Sequence, residues 1–319
     1  FSDDHGLRLV GNILWSELKY ELNEAQGGAP TARAAPQLLE RGEGWFEIYA
    51  AAYTTSANYA LDEHGIEAAV AITDAGLAYA RLNRLRTLEN LLVLLKIDLL
   101  ARAGRAAEAR SLLNESQLGA TGESVGWRQR DTAVHVTARI LMAEGRCAEA
   151  LSVLDQHAEQ AEPDHHVRTR IRYRLLNAIG HHLEGRQRQA LEHLELAIGL
   201  SAASGCVRGL LNERETLAPL LRSYVTLVPP PRSIEHGRAL LAQIEADFAQ
   251  AAPDSLLSSA ERKILQELGS GFSNKLIARK VGVSESTVRF HLRNIFVKLK
   301  VRSRLQAITM ARQNKLLSA

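Results

Sequence analysis

Apolar residues return every three to four positions through most of the first 252 residues of the chain. Val134, Ala138, Leu141 and Met142 are one example, and they fall on a single face of a helix. Residues 1 to 252 show only helical patterns of this kind. The pattern therefore predicts an all-α fold.

A helix hairpin is repeated four times along this part of the chain. Its glycines are separated by 39, 41 and 40 residues, and each is followed five positions later by a small or β-branched residue. Each glycine is placed to end one helix in the left-handed conformation, and the small residue lets the next helix approach closely. Because such a hairpin cannot bury its apolar face alone, we expect successive hairpins to stack into a superhelix of tetratricopeptide-like repeats. The glycines are Gly65, Gly104, Gly145 and Gly185, and the small residues are Val70, Ala109, Ala150 and Ala190.

Composition divides the chain into two predicted domains. Residues 1–250 are predicted to form the helical-repeat domain, with a sensory or interaction role, and the linker AAPDS begins a connection that spans 251–257. Residues 258–319 then carry four helix-start signals, two of them with capping-box spacing, and are predicted to form a four-helix domain. The start signals are Ser258 with Glu261, Ser273, Ser284, and Ser303 with Gln306.

Charge is distributed unevenly between these domains. Residues 254–319 carry 13 Lys and Arg and 4 Asp and Glu, a net charge of +9, and the whole-chain totals of 39 and 36 leave −6 for residues 1–253. A small cationic module is typical of proteins that bind a polyanion, because neutralising phosphates supplies affinity that does not depend on sequence. A solubilising charged surface is the alternative interpretation of the same charges.

The third helix of the small domain separates its residues by face. Apolar residues recur at spacings of three and four and are expected to pack inward, whereas Arg289 and Arg293 fall on another stripe with Phe290. A helix can enter the major groove of DNA, where Arg can donate two hydrogen bonds to one guanine and an aromatic ring can contact a thymine methyl group. The inward set is Val288, Leu292, Ile295, Phe296 and Leu299.

Residues around this helix complete a predicted DNA interface. Gly282 makes the corner between the second and third helices, as a helix-turn-helix requires. Lys275, Thr287 and Lys298 suit phosphates beside the groove, which set the position of the protein rather than its sequence preference. Double-stranded DNA is therefore the predicted partner.

Residues 257–308 resemble the LuxR-type helix-turn-helix domain of bacterial transcription regulators. The match departs from the family at Leu276, where members commonly carry Glu, and at Lys300, where they commonly carry Gly. By family analogy, the base contacts fall on Arg289, Phe290 and Arg293. The matching positions include Glu261, Leu265, Gly271, Ser273, Asn274, Lys275, Ile277, Ala278, Val283, Ser284, Thr287, Val288, His291, Leu292, Asn294, Ile295, Lys298, Leu299, Val301 and Arg304.

A LuxR-type domain behind helical repeats is similar to the carboxyl half of the large ATP-binding LuxR regulators, the MalT-like group. The resemblance implies an activator that responds to a small-molecule or protein effector, self-associates on DNA and acts with RNA polymerase. The two isolated cysteines fit a reducing cytoplasm, which is the expected location. The resemblance also implies an ATP-binding domain upstream of this chain. We expect the chain itself to be a fragment of a longer polypeptide, because it lacks an initiating Met. GSGFSNK at 269–275 lacks the spacing of a phosphate-binding loop, so no cofactor is expected in the chain itself.

An arginine series on one predicted helix of the repeats has two interpretations. Its members pair on shared faces at a spacing of four residues, so they are candidates for an anion-binding effector face. The alternative is a solvated face paired with acids of the neighbouring helix. The series is Arg168, Arg170, Arg172 and Arg174.

Catalytic and metal-binding residue sets are not evident. Adjacent histidines at 165–166 and 181–182 point about 100° apart on a helix, and no carboxylate or thiolate completes a site. Cys147 and Cys206 stand alone, and the longest apolar run, at 91–100, is broken by two charges. We expect neither an enzyme nor a membrane protein. The alternative function is an interaction scaffold whose helix-turn-helix contacts protein.

Overall fold

The structure is a computed structural model of the chain, and it describes residues 3–39, 46–118, 127–161, 167–250, 257, 259–281, 283, 285–299, 301, 303–313 and 316–317. Within these ranges the chain forms seventeen helices and no strand, so the predicted all-α class is confirmed. Several predicted features lie outside the described residues, namely the linker apart from Leu257, the start signals Ser258 and Ser284, the corner residue Gly282, Lys300 and the histidines at 165–166.

One compact unit consists of Phe1–Arg102, Ala107–Val136 and Gly205–Gly209. Its helices are α1 (Asp3–Glu21), α2 (Ala25–Leu39), α3 (Phe46–His64), α4 (Ile66–Leu82), α5 (Arg86–Arg102), α6 (Ala106–Ser116) and the first part of α7 (Trp127–Ala143). Helix α3 packs on α1, α2, α4 and α5. It is therefore the centre of this unit.

Close approach of α2 to α3 depends on a missing side chain. Helix α3 is buried on almost every side between Ile48 and Ala60, which is typical of a central helix. A Cβ atom at Gly28 of α2 would lie 2.6 Å from the hydroxyl oxygen of Tyr59, so a larger residue there would force the buried Tyr59 side chain to shift. The ring of Tyr59 also meets Tyr20 of α1 edge to face, with ring centroids 5.0 Å apart.

Arg208 connects the segment Gly205–Gly209 to α1 and α3 within the same unit. Its guanidinium group donates a hydrogen bond to Asn23 Oδ1 at 2.8 Å and another to the carboxylate of Asp62. The same group lies 4.6 Å from the ring centroid of Tyr20. Residues far apart in the sequence are thus held together by one partly buried cation.

The predicted glycine turns are present. Gly65, Gly104, Gly145 and Gly185 have φ angles of +86°, +77°, +79° and +78°, in the left-handed region that favours glycine. At Gly185 the turn has the Schellman hydrogen bonds, from Gly185 N to His182 O at 3.0 Å and from Arg186 N to His181 O at 2.9 Å. The hairpin turns are therefore confirmed, and the superhelix that they were expected to build stays a prediction.

A second compact unit consists of Ala103–Ala106, Thr137–Ser204 and Leu210–Ala319. Its helices are α8 (Cys147–Ala161), α9 (Val167–Leu183), α10 (Gln187–Ser204), α12 (Arg214–Tyr224), α13 (Ile234–Gln250), α14 (Ser259–Gly269), α15 (Asn274–Val281), α16 (Glu285–Lys298) and α17 (Arg304–Gln313), with parts of α7 and of α11 (Arg208–Leu211). Helix α9 packs on α8 and α10, and it also contacts α16.

Replacement of Gly185 by alanine should destabilise the protein through the backbone alone. A Cβ atom there meets nothing within 4 Å, but the φ angle of +78° is unfavourable for any L side chain. We expect Gly185→Ala to lower the free energy of unfolding by about 1 to 2 kcal/mol in a urea titration. The control Gly11→Ala, in open space on helix α1, should instead raise it by roughly 0.5 to 1 kcal/mol. Equal effects of the two substitutions would contradict the turn.

Candidate nucleic-acid interface

Helices α14 to α17 share one apolar core. Of the residues predicted to pack inward, Val288 and Ile295 of α16 are fully buried in this core, Leu292 and Leu299, the residue after the helix, are nearly so, and Phe296 packs against the edge of the core. Residues from the other three helices and from the flanking segments complete the core. These are Leu257, Ile264, Leu265, Leu268, Ile277, Ala278, Ala307, Ala311 and Leu316.

Local signals in the sequence set the ends of these helices. Gly271 has a φ angle of +84° and lies between α14 and α15. The hydroxyl of Ser273 accepts a hydrogen bond from the backbone N–H of Leu276 at 3.4 Å, and the hydroxyl of Ser303 accepts one from Gln306 at 3.2 Å. Both serines therefore cap the helices that they were predicted to start.

A cluster around Phe272 fixes the start of α15. The guanidinium group of Arg304, in α17, donates a hydrogen bond to the carbonyl oxygen of Phe272 and lies 3.5 Å from Asn274 Oδ1. The ammonium group of Lys280 lies 3.9 Å from the ring centroid of Phe272 and 2.9 Å from the carboxylate of Glu267 in α14. Helices α14, α15 and α17 are thus held together at this loop.

The predicted base-contacting residues lie on the outer face of α16. Arg289 and Arg293 are exposed and one turn apart, while Phe290 between them is half-buried. Arg289 has an ion-pair partner in Glu285, with Nη1 3.6 Å from Oε1. Because 64% of the Arg289 side chain is exposed, this pair is screened by water and contributes little. The cation is therefore available to a ligand.

The three predicted phosphate contacts have different surroundings. Lys275 is exposed in the first turn of α15. Thr287 and Lys298 are both buried, with 7% of each residue accessible to solvent. In this arrangement the structure offers Lys275 to a phosphate but not the other two, and their phosphate role stays a prediction.

Lys298 instead forms ion pairs inside the protein. Its Nζ atom lies 2.7 Å from Oε2 of Glu261, in α14, and 2.8 Å from Oε1 of Glu215, in α12. The side chain of Glu261 is fully shielded from solvent, whereas Glu215 is about one-third exposed. Two carboxylates thus surround one ammonium group, and Glu261 depends on that group for its charge to be tolerated.

A second contact reaches the outer face of α16 from helix α9. The ring of His182 packs edge-on against Phe290, with centroids 6.4 Å apart and an interplanar angle of 76°. Burial and the nearby positive charge of Arg293 lower the pKa of His182, and its hydrogen bond to Gln187 opposes this shift. Burial also lowers the pKa of His291, to about 4. Both rings are therefore neutral at pH 7.

The arginine series of α9 is only partly accessible. Arg170 is exposed, and the other three members are half-buried. Arg174 lies close enough to His193 for its charge to lower the pKa of that ring, second to burial. The effector face predicted for Arg168, Arg170, Arg172 and Arg174 stays a prediction.

The described residues contain neither a metal-binding cluster nor a membrane-spanning helix. Histidine, cysteine and acidic side chains do not come together there in groups of three or more that suit a metal ion. None of the helices in the described ranges has the length and apolar character needed to cross a membrane.

Sequence reasoning missed the polar contacts of α16. His291, Asn294 and Lys298 share one face of the helix at the spacing of an apolar stripe, and Asn294 and Lys298 are buried. Counting apolar residues alone could not reveal this face. The spacing itself was the available signal. The contacts of Glu215 and His182 with α16 have no such signal in the sequence, because both residues come from distant helices.

Residues 255–311 match the protein family described as bacterial regulatory proteins, luxR family. The matched range contains α14, α15, α16 and most of α17. The carboxyl-terminal part of the chain is therefore a LuxR-type helix-turn-helix domain, a class of DNA-binding domain found in transcription regulators. More than half of the chain is in addition similar to MalT, at lower identity.

Three relatives illustrate the range of these similarities. Identity to the nitrate/nitrite response regulator protein NarP of Escherichia coli is 43% over 81 residues, 25% of this chain and 38% of NarP. Identity to the probable transcriptional regulatory protein SgaR of Hyphomicrobium methylovorum is 35% over 78 residues, 24% of this chain and 37% of SgaR. Identity to the HTH-type transcriptional regulator MalT of Vibrio cholerae is 25% over 198 residues, 55% of this chain and 22% of MalT.

Each of these relatives is matched over only part of its length. The chain spans well under half the length of each of these curated relatives. The MalT alignment is much longer than the DNA-binding domain, so it extends into the part of the chain before that domain. No solved structure matches the chain. The chain thus carries a LuxR-type domain and is MalT-like over 55% of its residues.

Removal of the Lys298 ammonium group should leave the buried carboxylate of Glu261 without its cationic partner. We expect Lys298→Met to lower the free energy of unfolding by about 3 to 5 kcal/mol, and Glu261→Leu in the same chain to restore most of that loss. The exposed Lys263→Met, also in the LuxR-type domain, is the control and should change it by less than about 0.5 kcal/mol. Urea unfolding of the four proteins measures these differences. Full stability of Lys298→Met alone would contradict the pair.

Proposed function

We propose that the chain is a transcription regulator that reads DNA through α16 and senses an effector on its helical repeats. One observation carries this proposal. Arg289 and Arg293 are exposed one turn apart, on a helix whose opposite face is buried in the core of a LuxR-type domain. The two cations are thereby held at a fixed spacing and orientation.

The dimensions and chemistry of DNA suit this arrangement. The major groove is about 12 Å wide and admits one helix, and guanine presents two acceptors there that match the donors of an arginine. Arg289 and Arg293 are therefore assigned to bases, and Phe290 between them to a thymine methyl group. Their exposed guanidinium groups lose little internal interaction on binding, because the pair with Glu285 is weak.

Backbone contacts are assigned to the cations beside this helix. Lys275 lies in the first turn of α15 and is exposed, so it suits a phosphate at the edge of the groove. The net charge of +9 on residues 254–319 supplies a favourable field for any duplex. Affinity should therefore fall steeply as salt is added.

The helical repeats are assigned the sensory role. Repeat surfaces are extended and bind peptides, proteins or small molecules, and the similarity to MalT reaches into this part of the chain. The arginines of α9 are the proposed anion-binding residues. Activation of transcription, contact with RNA polymerase and self-association on DNA belong to the same proposal.

Selection from random duplex DNA at fixed salt is the experiment that tests the proposal. The purified chain should enrich a motif, and the double variant Arg289→Ala, Arg293→Ala should not. The interaction-scaffold alternative predicts that neither protein enriches a sequence. The spacing of half-sites in an enriched motif would also report how copies assemble.

Each single arginine substitution should weaken specific binding at one or two base pairs. We expect Arg289→Ala or Arg293→Ala to cost about 1 to 3 kcal/mol on the selected duplex and much less on random DNA. Fluorescence anisotropy on both duplexes measures the difference. Arg238→Ala is the matched control, because it removes the same charge from α13, outside the LuxR-type domain. Equal losses on both duplexes would defeat the assignment to bases.

Lys275→Ala should act differently, because a phosphate contact is independent of sequence. We expect affinity for selected and random duplexes to fall by the same factor, and the slope of log K against log salt to decrease by about one. The salt titration on each duplex measures this slope. An unchanged slope would remove Lys275 from the interface.

A further inference from the structure

Two contacts hold the DNA-reading helix against helices of the repeat region in the same compact unit. The first joins α9 to the outer face of α16, where the ring of His182 covers one edge of Phe290 at a centroid distance of 6.4 Å. His182 is oriented by its neighbour Gln187, whose Oε1 lies 3.0 Å from His182 Nδ1. One of the three proposed base-contacting residues is therefore partly covered by protein.

The second contact is electrostatic. Glu215 of α12 places its Oε1 2.8 Å from Lys298 Nζ, at the carboxyl-terminal end of α16. The ring centroid of Phe248, in α13, lies 5.6 Å from the same ammonium group. The sequence predicts that the ammonium group of Lys298 contacts a DNA phosphate, but here it is paired with the carboxylate of Glu215. Carboxylate and phosphate both offer it an anionic oxygen.

We infer that His182, Glu215 and Phe248 form an interaction surface, here named the masking surface, which binds α16 in competition with DNA. The inference rests on the proposed function of α16. A groove about 12 Å wide and 8.5 Å deep accommodates one helix. It cannot receive Phe290 while α9 lies against the same ring. The masked form and the DNA-bound form are therefore mutually exclusive.

Competition of this kind lowers the apparent affinity for every duplex by one factor. The measured dissociation constant equals the intrinsic constant divided by the fraction of molecules in which α16 is free. Loosening the masking surface raises that fraction and leaves the base contacts unchanged. The effect is thus distinct from that of the arginine substitutions, which lower the affinity for the selected duplex much more than the affinity for random DNA.

Substitutions on the repeat side test the inference in the full chain. His182→Ala removes the aromatic contact and leaves the ion pairs of Lys298 intact, whereas Glu215→Gln removes the second carboxylate and leaves Glu261 in place. Neither residue belongs to the proposed DNA-contacting set. The matched control is Glu192→Gln, which changes the net charge equally but lies in an exposed pair with Arg188 on α10.

We expect the double variant His182→Ala, Glu215→Gln to bind selected and random duplexes about tenfold more tightly than the unchanged chain. Each single variant should show part of this gain, and Glu192→Gln should change affinity by less than about twofold. Circular dichroism melting verifies that each variant folds. An affinity gain equal to that of the control would overturn the inference.

A measurement without DNA separates this inference from the proposed function. The chain is labelled with 4-fluorophenylalanine, and the fluorine resonance of Phe290 is assigned by its loss in Phe290→Leu. In the double variant this resonance should move towards the position of a solvent-exposed ring. An unmoved resonance would overturn the masking surface, whatever the DNA result. A moved resonance without tighter binding to a duplex that the unchanged chain binds would overturn the competition. Failure of every variant to bind any duplex, with a moved resonance, would instead defeat the proposed function and the competition with it.

Discussion

The ammonium group of Lys298 is almost completely shielded from water, and a charge in that position needs carboxylate partners at short range. Glu261 and Glu215 supply them, and they do so from α14 and α12. The first pair fixes α16 to the helix on which it packs, together with the apolar residues around Ile295. The orientation of the exposed arginines follows from this anchoring, because a helix held along its buried face can present only its other face. The geometry of the proposed DNA-reading face therefore depends on a buried charge as much as on apolar packing.

Cations of the LuxR-type domain fall into two kinds according to their surroundings. Lys298 and Arg304 have close internal partners and act as structural groups. Arg289, Arg293 and Lys275 are exposed to water, and the one ion pair among them that the described residues show, from Arg289 to Glu285, is screened, so these cations can exchange solvent for an anionic or polar ligand. A net charge alone does not distinguish these kinds. The exposed group can contribute to the affinity for a duplex without first breaking a buried contact within the protein, because the pair of Arg289 with Glu285 is screened by water.

Much of this structure could be predicted from the sequence, since local patterns decide local features. The helical period of apolar residues fixed the all-α class, and the spacing of Gly145 and Gly185 located turns that need a left-handed backbone. The stripe that contains Val288 and Leu292 separated the inner and outer faces of α16. Burial of Lys298 could not be predicted in this way, because its partner Glu261 is 37 positions away, and the local sequence around Glu261 indicates a helix start rather than a partner for a distant lysine. Contacts between distant helices leave no periodic signal in a single sequence.

Arg208 changes how the first compact unit should respond to stress. An array whose members touch only their neighbours loses structure gradually from its ends, as each terminal member detaches at its own cost. Arg208 is 146 residues from Asp62 and 185 from Asn23, yet it binds both, so the segment Gly205–Gly209 and helices α1 and α3 stand or fall together. Such a connection couples the unfolding of this segment to that of α1 and α3, where fraying would otherwise release them separately. It also slows folding of this unit, because the long loop between Asp62 and Arg208 must close, at a cost in chain entropy, before their contact can form.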